Sequence, residues 1–288
     1  MSFIYTFSSG STEVYDASDY SGVDTLQAVS QANQNLINSV YNINYQKIFA
    51  GPGGGGSITG LTIYDSGNTK TVINVSGDTF GIAVDNTNDL VALIDVSQSF
   101  DFEVKVVDAS TNTVVRTIEV VNSYKGDIAS DNNGYCYVVG ETNTMTKVDI
   151  VNGVTADTIS IGGTGINKKL LFNGVNNFIY VYSNNDGYVK SFDASDGSPL
   201  NTLNITANTT FFIFNPDKEQ IYLGKVTGGT NDFVIITLSR NLTLISETFI
   251  FSGLSPTSLY SVFGFYSTET QYLYVGEVDS DSILVLTT

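Results

Sequence analysis

The side chains that most often carry out enzyme chemistry are nearly absent from this sequence. It has no histidine, which excludes Ser-His-Asp and Cys-His catalysis and any histidine-ligated zinc or iron site. Its single cysteine, Cys136, excludes a thiolate metal cluster and an intrachain disulfide. Because Cys136 lies in the apolar run Tyr135–Val139, we predict that it is a small buried hydrophobic side chain. No catalytic, cofactor-binding or metal-ligating residue is assigned from the sequence.

Carboxylates are the remaining groups that could do chemistry, and most of them recur at turns. An apolar residue, an aspartate and a turn follow one another at Asp16, Asp65, Asp108, Asp149 and Asp193. A short carboxylate can accept backbone N–H groups two residues further on, so we predict that these five stabilise turns. Two converging carboxylates could instead hydrolyse a glycoside. Acidic turns such as 184–187 and 279–281 could hold a structural calcium ion, although neither is an EF-hand loop.

A short apolar motif recurs along the whole chain and indicates an internal repeat. It is centred on residues 5, 49, 93, 137, 180, 222 and 274, at steps of 42 to 52 residues. The aspartate turn follows most copies, and then come a segment of alternating character and another apolar segment. These segments are rich in Val, Ile, Thr, Tyr and Phe and are separated by Asn, Asp, Gly and Ser. That pattern is typical of antiparallel strands joined by short turns.

Four antiparallel strands in a repeat of this length make one blade of a β-propeller. We therefore predict an all-β protein, a β-propeller of four-stranded antiparallel blades that forms a single domain over residues 1–288. Seven copies favour seven blades, because residues 3–7 and 15–19 match residues 178–182 and 192–196 closely. Six blades are the alternative, in which the two chain termini share one blade.

The segment 24–38 fits the repeat less well than the others. Its apolar residues have near-helical spacing, which would suit a short inserted helix. Residues 24–29, however, align with residues 201–205 of a later repeat. We therefore favour a strand over residues 24–30 and leave the rest of the segment open.

The repeat resembles the YVTN group of β-propellers. The resemblance is carried by Tyr-Val runs and by Val-Asp-Ala-Ser-Thr-Asn-Thr-Val-Val-Arg-Thr-Ile-Glu-Val at 107–120, and it is best over residues 81–205. Propellers of the NHL type share this architecture. The resemblance implies the propeller fold. WD40 signatures need His and Trp and sialidase Asp boxes need Trp, and this chain contains neither residue.

Charge and composition limit the classes of partner. The formal net charge is -17 and the only adjacent basic pair is Lys168-Lys169, which argues against nucleic acid and against an anionic membrane surface. We see no signal peptide and no apolar run long enough for a transmembrane helix. We predict a non-enzymatic recognition or structural module on a virion or cell surface, which binds other protein subunits or a surface receptor or glycan. The alternative is a propeller hydrolase or lyase that uses carboxylates or calcium in the central channel.

Two further features are candidate sites on an exterior protein. Asn-x-Ser/Thr sequons, which could carry glycans, are found at Asn74, Asn204, Asn208 and Asn241. A glycine-rich run contains Gly51, Pro52, Gly53, Gly54, Gly55 and Gly56. It lacks the Gly-Lys-Ser/Thr ending of a phosphate-binding loop. We predict a flexible inter-strand loop there, which could also let a neighbouring subunit approach closely.

Overall fold

The computed structural model describes most of the chain as β-strands and the short turns between them. The described residues are 3–8, 11–16, 25–30, 38–42, 44–45, 47–51, 61–64, 70–73, 78–96, 102–120, 126–163, 165, 168–205, 208–227, 232–251, 262–267, 271–277 and 282–287. Among these residues the strands form seven antiparallel sheets, one for each copy of the repeat.

The first three sheets cover the N-terminal part of the chain. The first has the order β1 (Phe3–Ser8), β2 (Ser11–Asp16), β3 (Thr25–Ser30). The second has the order β4 (Asn38–Asn42), β5 (Lys47–Gly51), β6 (Leu61–Tyr64), β7 (Lys70–Ile73). The third has the order β8 (Asp78–Asp85), β9 (Leu90–Val96), β10 (Phe102–Asp108), β11 (Thr113–Glu119).

The remaining four sheets follow the same meander. The fourth consists of β12 (Asp127–Ser130), β13 (Tyr135–Val139), β14 (Thr144–Asp149) and β15 (Val154–Ser160). The fifth consists of β16 (Lys168–Asn173), β17 (Phe178–Ser183), β18 (Tyr188–Asp193) and β19 (Pro199–Asn204). The sixth consists of β20 (Asn208–Asn215), β21 (Gln220–Val226), β22 (Phe233–Ser239) and β23 (Leu244–Phe251). The seventh consists of β24 (Val262–Ser267), β25 (Tyr272–Glu277) and β26 (Ser282–Thr287).

Burial explains why the second strand of a sheet is apolar throughout whereas the fourth is not. In β13 four consecutive side chains are buried, because both faces of the strand are covered. In β15, at the edge of the same sheet, only Ile159 is buried. The sequence therefore changes from continuous apolar residues to a mostly polar segment within one sheet.

The strands cluster into two compact units, which are described separately. One unit contains residues 33–186 and 192–199, and the other contains residues 1–32, 187–191 and 200–288. Within the first unit, neighbouring sheets pack through their faces, and Val104, Ile128 and Cys136 belong to one shared core cluster. Within the second, a core cluster joins Phe233 and Ile235 of the sixth sheet to Val275 of the seventh.

The predicted fold class and two local predictions are confirmed. The sheets are those of a β-propeller, residues 25–30 form strand β3, and Cys136 is completely buried within a core cluster. Burial raises the pKa of the Cys136 thiol. The repeat in the sequence and the sheet in the structure begin at different strands. The last apolar segment of each sequence repeat, such as 81–84, lies in the first strand of the following sheet, here β8.

Candidate functional site

In the unit formed by residues 33–186 and 192–199, the turns of the third, fourth and fifth sheets come together in pairs. The first residue of the turn after the third strand donates its backbone N–H to a carbonyl of the turn after the first strand. These bonds are Ala109 N to Asp89 O at 2.9 Å, Ile150 N to Gly134 O at 3.0 Å and Ala194 N to Asn177 O at 2.9 Å. The paired turns define the turn face: residues 86–89, 109–112, 131–134, 150–153, 174–177 and 194–197.

Aspartates fix the conformation of these turns, as predicted. The Oδ1 atoms of Asp108 and Asp193 each accept the backbone N–H two residues further on, both at 2.8 Å. Asp149 Oδ1 accepts the Asn152 N–H at 2.8 Å. The hydrogen bond from the Ser110 hydroxyl, followed by backbone bonds, lowers the pKa of the Asp108 carboxyl. The prediction is thus confirmed at three positions.

The other two predicted turn aspartates are not part of this finding. Asp16 is the last residue of β2, and its side chain is outside the description. Asp65 is outside the described residues.

The turns also require a residue in the left-handed region just before the next strand. Asn112 has φ = 57° and Gly153 has φ = 78° at equivalent places. Asn, Asp and Gly adopt this conformation more readily than other residues, which is why they recur in the sequence at these positions.

Asp85 is a structural carboxylate that the sequence analysis missed. Its side chain is completely buried at the end of β8. Oδ1 accepts the Thr87 N–H at 2.9 Å, and Oδ2 accepts the Gly134 N–H at 2.7 Å. Gly134 lies in the next sheet, so one carboxylate shapes its own turn and also joins two sheets.

A repeated signal could have revealed Asp85. Asn173 and Asn215 occupy the same place at the ends of β16 and β20, and both are completely buried. Each accepts the backbone N–H two residues further on, from Val175 at 2.9 Å and Asp217 at 3.0 Å. The recurrence of Asp or Asn at the end of the first strand is visible in the sequence. Its role between sheets is not, because that role depends on packing.

Asparagines link the turns of three consecutive sheets at the surface. Asn44 Nδ2 donates to Asn86 O and to Asp89 Oδ1, both at 2.6 Å. The Asn86 N–H donates to Asn132 Oδ1 at 2.6 Å. The second, third and fourth sheets are therefore joined in series at their turns.

Two lysines make a second set of links between sheets. Lys47 Nζ donates to Ala109 O at 2.7 Å and to Asn112 Oδ1 at 2.9 Å. Lys147 Nζ donates to Ala194 O at 2.9 Å. The same carbonyl accepts the buried Tyr137 hydroxyl at 2.9 Å. These ammonium groups thus hold turn carbonyls of a different sheet.

The outer layer of the turn face consists of short polar side chains. The exposed ones include Thr87, Asn88, Ser110, Asn132, Asn133, Asn152, Ser195 and Asp196. Beside them, Tyr45 is 41% exposed, and Lys47 Nζ lies 5.4 Å from the centre of its ring. The surface can form many hydrogen bonds and carries little charge.

None of the four predicted sequons is among the residues of the turn face. Asn204 is exposed at the end of the edge strand β19, and Asn241 is exposed in the turn between β22 and β23. Asn208 is the first residue of β20, where its backbone pairs with Val226. Asn74 is outside the described residues. In the glycine-rich run, Gly51 ends β5, and residues 52–56 are outside the described residues.

The candidate calcium turns give no metal site within the described part of the chain. Asp186 Oδ2 accepts the Ser183 hydroxyl at 2.6 Å and the Gly165 N–H at 3.0 Å. The turn at 279–281 is outside the description. Among the described residues, no cluster of three or more acidic or cysteine side chains has the geometry to hold a metal ion. The same residues include no helix with the length and apolar character needed to cross a bilayer.

Comparison with known proteins supports the β-propeller fold but does not place the chain in a particular family of propellers. No family model matches the chain, and no curated protein sequence matches it. The resemblance to YVTN propellers therefore stays a prediction. Among solved structures, the chain is similar to a WD40 β-propeller in a structure described as "Crystal Structure of Mitotic Checkpoint Complex". The two are 14% identical with a TM-score of 0.76, over 99% of this chain and 84% of that one. In fold, the chain is a β-propeller.

Proposed function

We propose that this protein is a non-enzymatic binding module and that its turn face recognises a protein partner. The observation that carries the proposal is the chain of hydrogen bonds from Asn44 through Asn86 to Asn132. These bonds hold the turns of three sheets in place before any partner arrives. A surface ordered in advance loses less conformational entropy on binding, so more of its interaction energy appears as affinity.

The side chains of the turn face suit recognition by hydrogen bonding. Ser, Thr and Asn offer donors and acceptors on short side chains that adapt to a partner at low entropic cost. The exposed ring of Tyr45 adds apolar contact area beside these polar groups. This combination fits a polar protein surface with an apolar patch at its edge.

The carboxylates at the strand ends that border the turn face support binding over catalysis. Asp85, Asp108, Asp149 and Asp193 all accept backbone N–H groups. A carboxylate committed to the backbone in this way is poorly placed to exchange protons with a substrate or to attack it. A hydrolase or lyase that uses carboxylates or calcium would need other acids than these four.

We further propose that the module works on the surface of a virion or a cell, next to other subunits, a receptor or a glycan. The exposure of Asn204 and Asn241 makes two sequons accessible to glycosylation. Mass spectrometry of purified particles, cell envelope and cytosol should find the protein in particles or envelope, with glycopeptides scored at all four sequons. A purely cytosolic, unmodified protein would overturn this location.

The turn face itself is tested by site-specific photocrosslinking in the native source. A benzoylphenylalanine in place of Thr87 should crosslink to a defined partner protein, because Thr87 is exposed on the turn face. The matched control is the same group in place of Thr158, which is exposed on β15 of the same unit. Equal crosslinking from both positions, or none from Thr87, would contradict the proposed recognition surface.

A further inference from the structure

The fourth strands of the complete sheets are edge strands, and β23 differs from the others in its side chains. β23 is the last strand in the order β20-β21-β22-β23, and no described strand pairs with its outer side. Leu244, Ile245 and Phe249 are 56%, 51% and 59% exposed. Three large apolar side chains therefore project from one strand whose outward backbone groups make no ladder within the described sheet.

The fourth strands of the third, fourth and fifth sheets carry features that discourage pairing. β19 begins with Pro199, which cannot donate to a ladder, and β15 contains the charged residue Asp157 with one exposed large apolar residue, Val154. β11 contains Arg116 and Glu119. In β23 the single charged residue is Glu247, which lies 3.4 Å from Lys225 Nζ.

We propose that the outer edge of β23 binds an extended segment of a different protein, which adds to this sheet as a fifth strand. This mode takes its affinity from main-chain hydrogen bonds and its specificity from alternate side chains. The inference does not depend on the turn face, because β23 belongs to the other compact unit.

The register of β23 sets the length of the segment that can pair regularly. Residues 246–249 pair without interruption with residues 234–237 of β22, and register shifts lie on both sides of this run. Bulges bend a strand and terminate pairing, so the regular ladder is short. The partner strand therefore pairs over about four residues.

Charge defines the chemistry of the partner. Pairing two copies of this chain through β23 would bring together two molecules of net charge -17 and two Glu247 carboxylates, which opposes self-association. Successive side chains alternate between the faces of a strand, so Glu247 and Phe249 project from the same face. The complementary segment has a Lys or Arg and an apolar residue two positions apart.

Binding is tested on the full chain with two acetylated octapeptides of alternating sequence, one of Val and Lys and one of Val and Glu. The Val/Lys peptide should bind in fluorescence anisotropy and should slow deuterium uptake by β23. The Val/Glu peptide should bind more weakly. Failure of the Val/Lys peptide to bind, or tighter binding of the Val/Glu peptide, would overturn the assignment.

Three variants locate the binding on β23. The double variant Ile245→Ser with Phe249→Ser should abolish binding, and Val154→Ser on the β15 edge is the matched control that should leave it unchanged. Glu247→Lys should reduce the preference for the basic peptide by roughly two- to fivefold for each charge pair lost. An equal loss of peptide binding in the Val154→Ser control would contradict the assignment of the binding site to β23.

Two further outcomes separate this inference from its rivals. A parent protein that dimerises in light scattering, and becomes monomeric in the double serine variant, would show that a second copy occupies the edge and would overturn the choice of a different protein. A turn-face variant such as Thr87→Lys should keep full peptide binding. The outcome of the peptide-binding test is therefore independent of whether the turn face recognises a partner.

Discussion

The turn face and the β23 edge differ in how the polar groups of their backbone are hydrogen-bonded. On the turn face, carboxylates, amides and lysine ammonium groups bind the N–H and carbonyl groups that a loop would otherwise leave to water. On β23 the outer backbone groups have no strand beside them among the described residues, and the same strand carries three exposed large apolar side chains. The first surface is complete in the protein alone, whereas the second lacks a neighbouring strand.

This difference indicates which part of a surface does the recognising. A turn whose backbone is already satisfied can offer a partner only its side chains, so its specificity changes when exposed side chains change. An open strand offers the backbone itself, which is the same for every sequence, so flanking charge and apolar side chains must select the partner. Four variants test this contrast, taken from the largest expected effect on stability to the smallest.

Asp85→Ala should lower the free energy of unfolding by about 3–5 kcal/mol, because it leaves the buried Gly134 N–H and turn N–H groups without their acceptor. Urea unfolding, with comparison of the slopes, measures the loss. Asp149→Ala is the control, since the Asp149 carboxylate accepts hydrogen bonds from Asn152 in its own turn, and it should cost much less. Equal losses would mean that the link between sheets contributes nothing.

Tyr137→Phe should cost about 0.5–1.5 kcal/mol, the net contribution of one hydrogen bond. The ring stays packed near Phe172, with centroids 6.4 Å apart, and Ala194 O still accepts Lys147 Nζ. Thermal and urea unfolding both report the change. Tyr135→Phe, at a partly exposed ring, should have a smaller effect, and a reversed order would contradict the role of the Tyr137 hydroxyl.

Asp108→Ala should destabilise the protein in a way that depends on pH. The pKa of the folded carboxyl lies below its ordinary value of 3.8, so Asp108 contributes stability above that pH. This contribution is lost as the pH falls through the folded pKa. The difference in stability between parent and variant should therefore shrink on acidification from about pH 6 to about pH 2. A difference that grows on acidification would contradict the lowered pKa.

Phe249→Ser should change the free energy of unfolding by less than about 0.5 kcal/mol, because the side chain is mostly exposed. Urea unfolding should give superimposable curves. The same substitution in the double variant with Ile245→Ser should nevertheless remove peptide binding. A large loss of stability would mean that Phe249 supports the sheet, and the contrast with Asp85 would disappear.

Local chemistry explains which of these features could be predicted from the sequence. The turn bonds of Asp108, Asp149 and Asp193 span two or three residues, so the residue types alone indicate them. The bond from Gly134 to Asp85 spans 49 residues and exists only because two sheets pack together. The sequence pattern contains no information on that distance.

The degenerate sixth repeat shows a second reason why sequence patterns miss a structural feature. Its turn before β23 uses Leu242 at φ = 61°, where the described turns of the third, fourth and fifth sheets use Asn112, Gly153 and Gly197. The Leu242 side chain is buried, and the Ser239 hydroxyl accepts the Thr243 N–H at 3.1 Å. Burial of an apolar side chain and a serine bond thus replace the turn chemistry that sequence patterns detect, at the start of the strand with the most unusual edge.

The offset between sequence repeat and sheet has a consequence for how such a chain can change during evolution. If each repeat copy is taken to begin at the apolar motif, it contains three strands of one sheet and the first strand of the next sheet. One such copy consists of β9, β10, β11 and β12. Duplicating or deleting one copy therefore adds or removes one sheet and leaves a hybrid sheet at the junction, whose first strand comes from a different copy than its other three strands. The first strand and the second strand of a sheet must therefore stay compatible between copies if such a change is to leave every sheet intact.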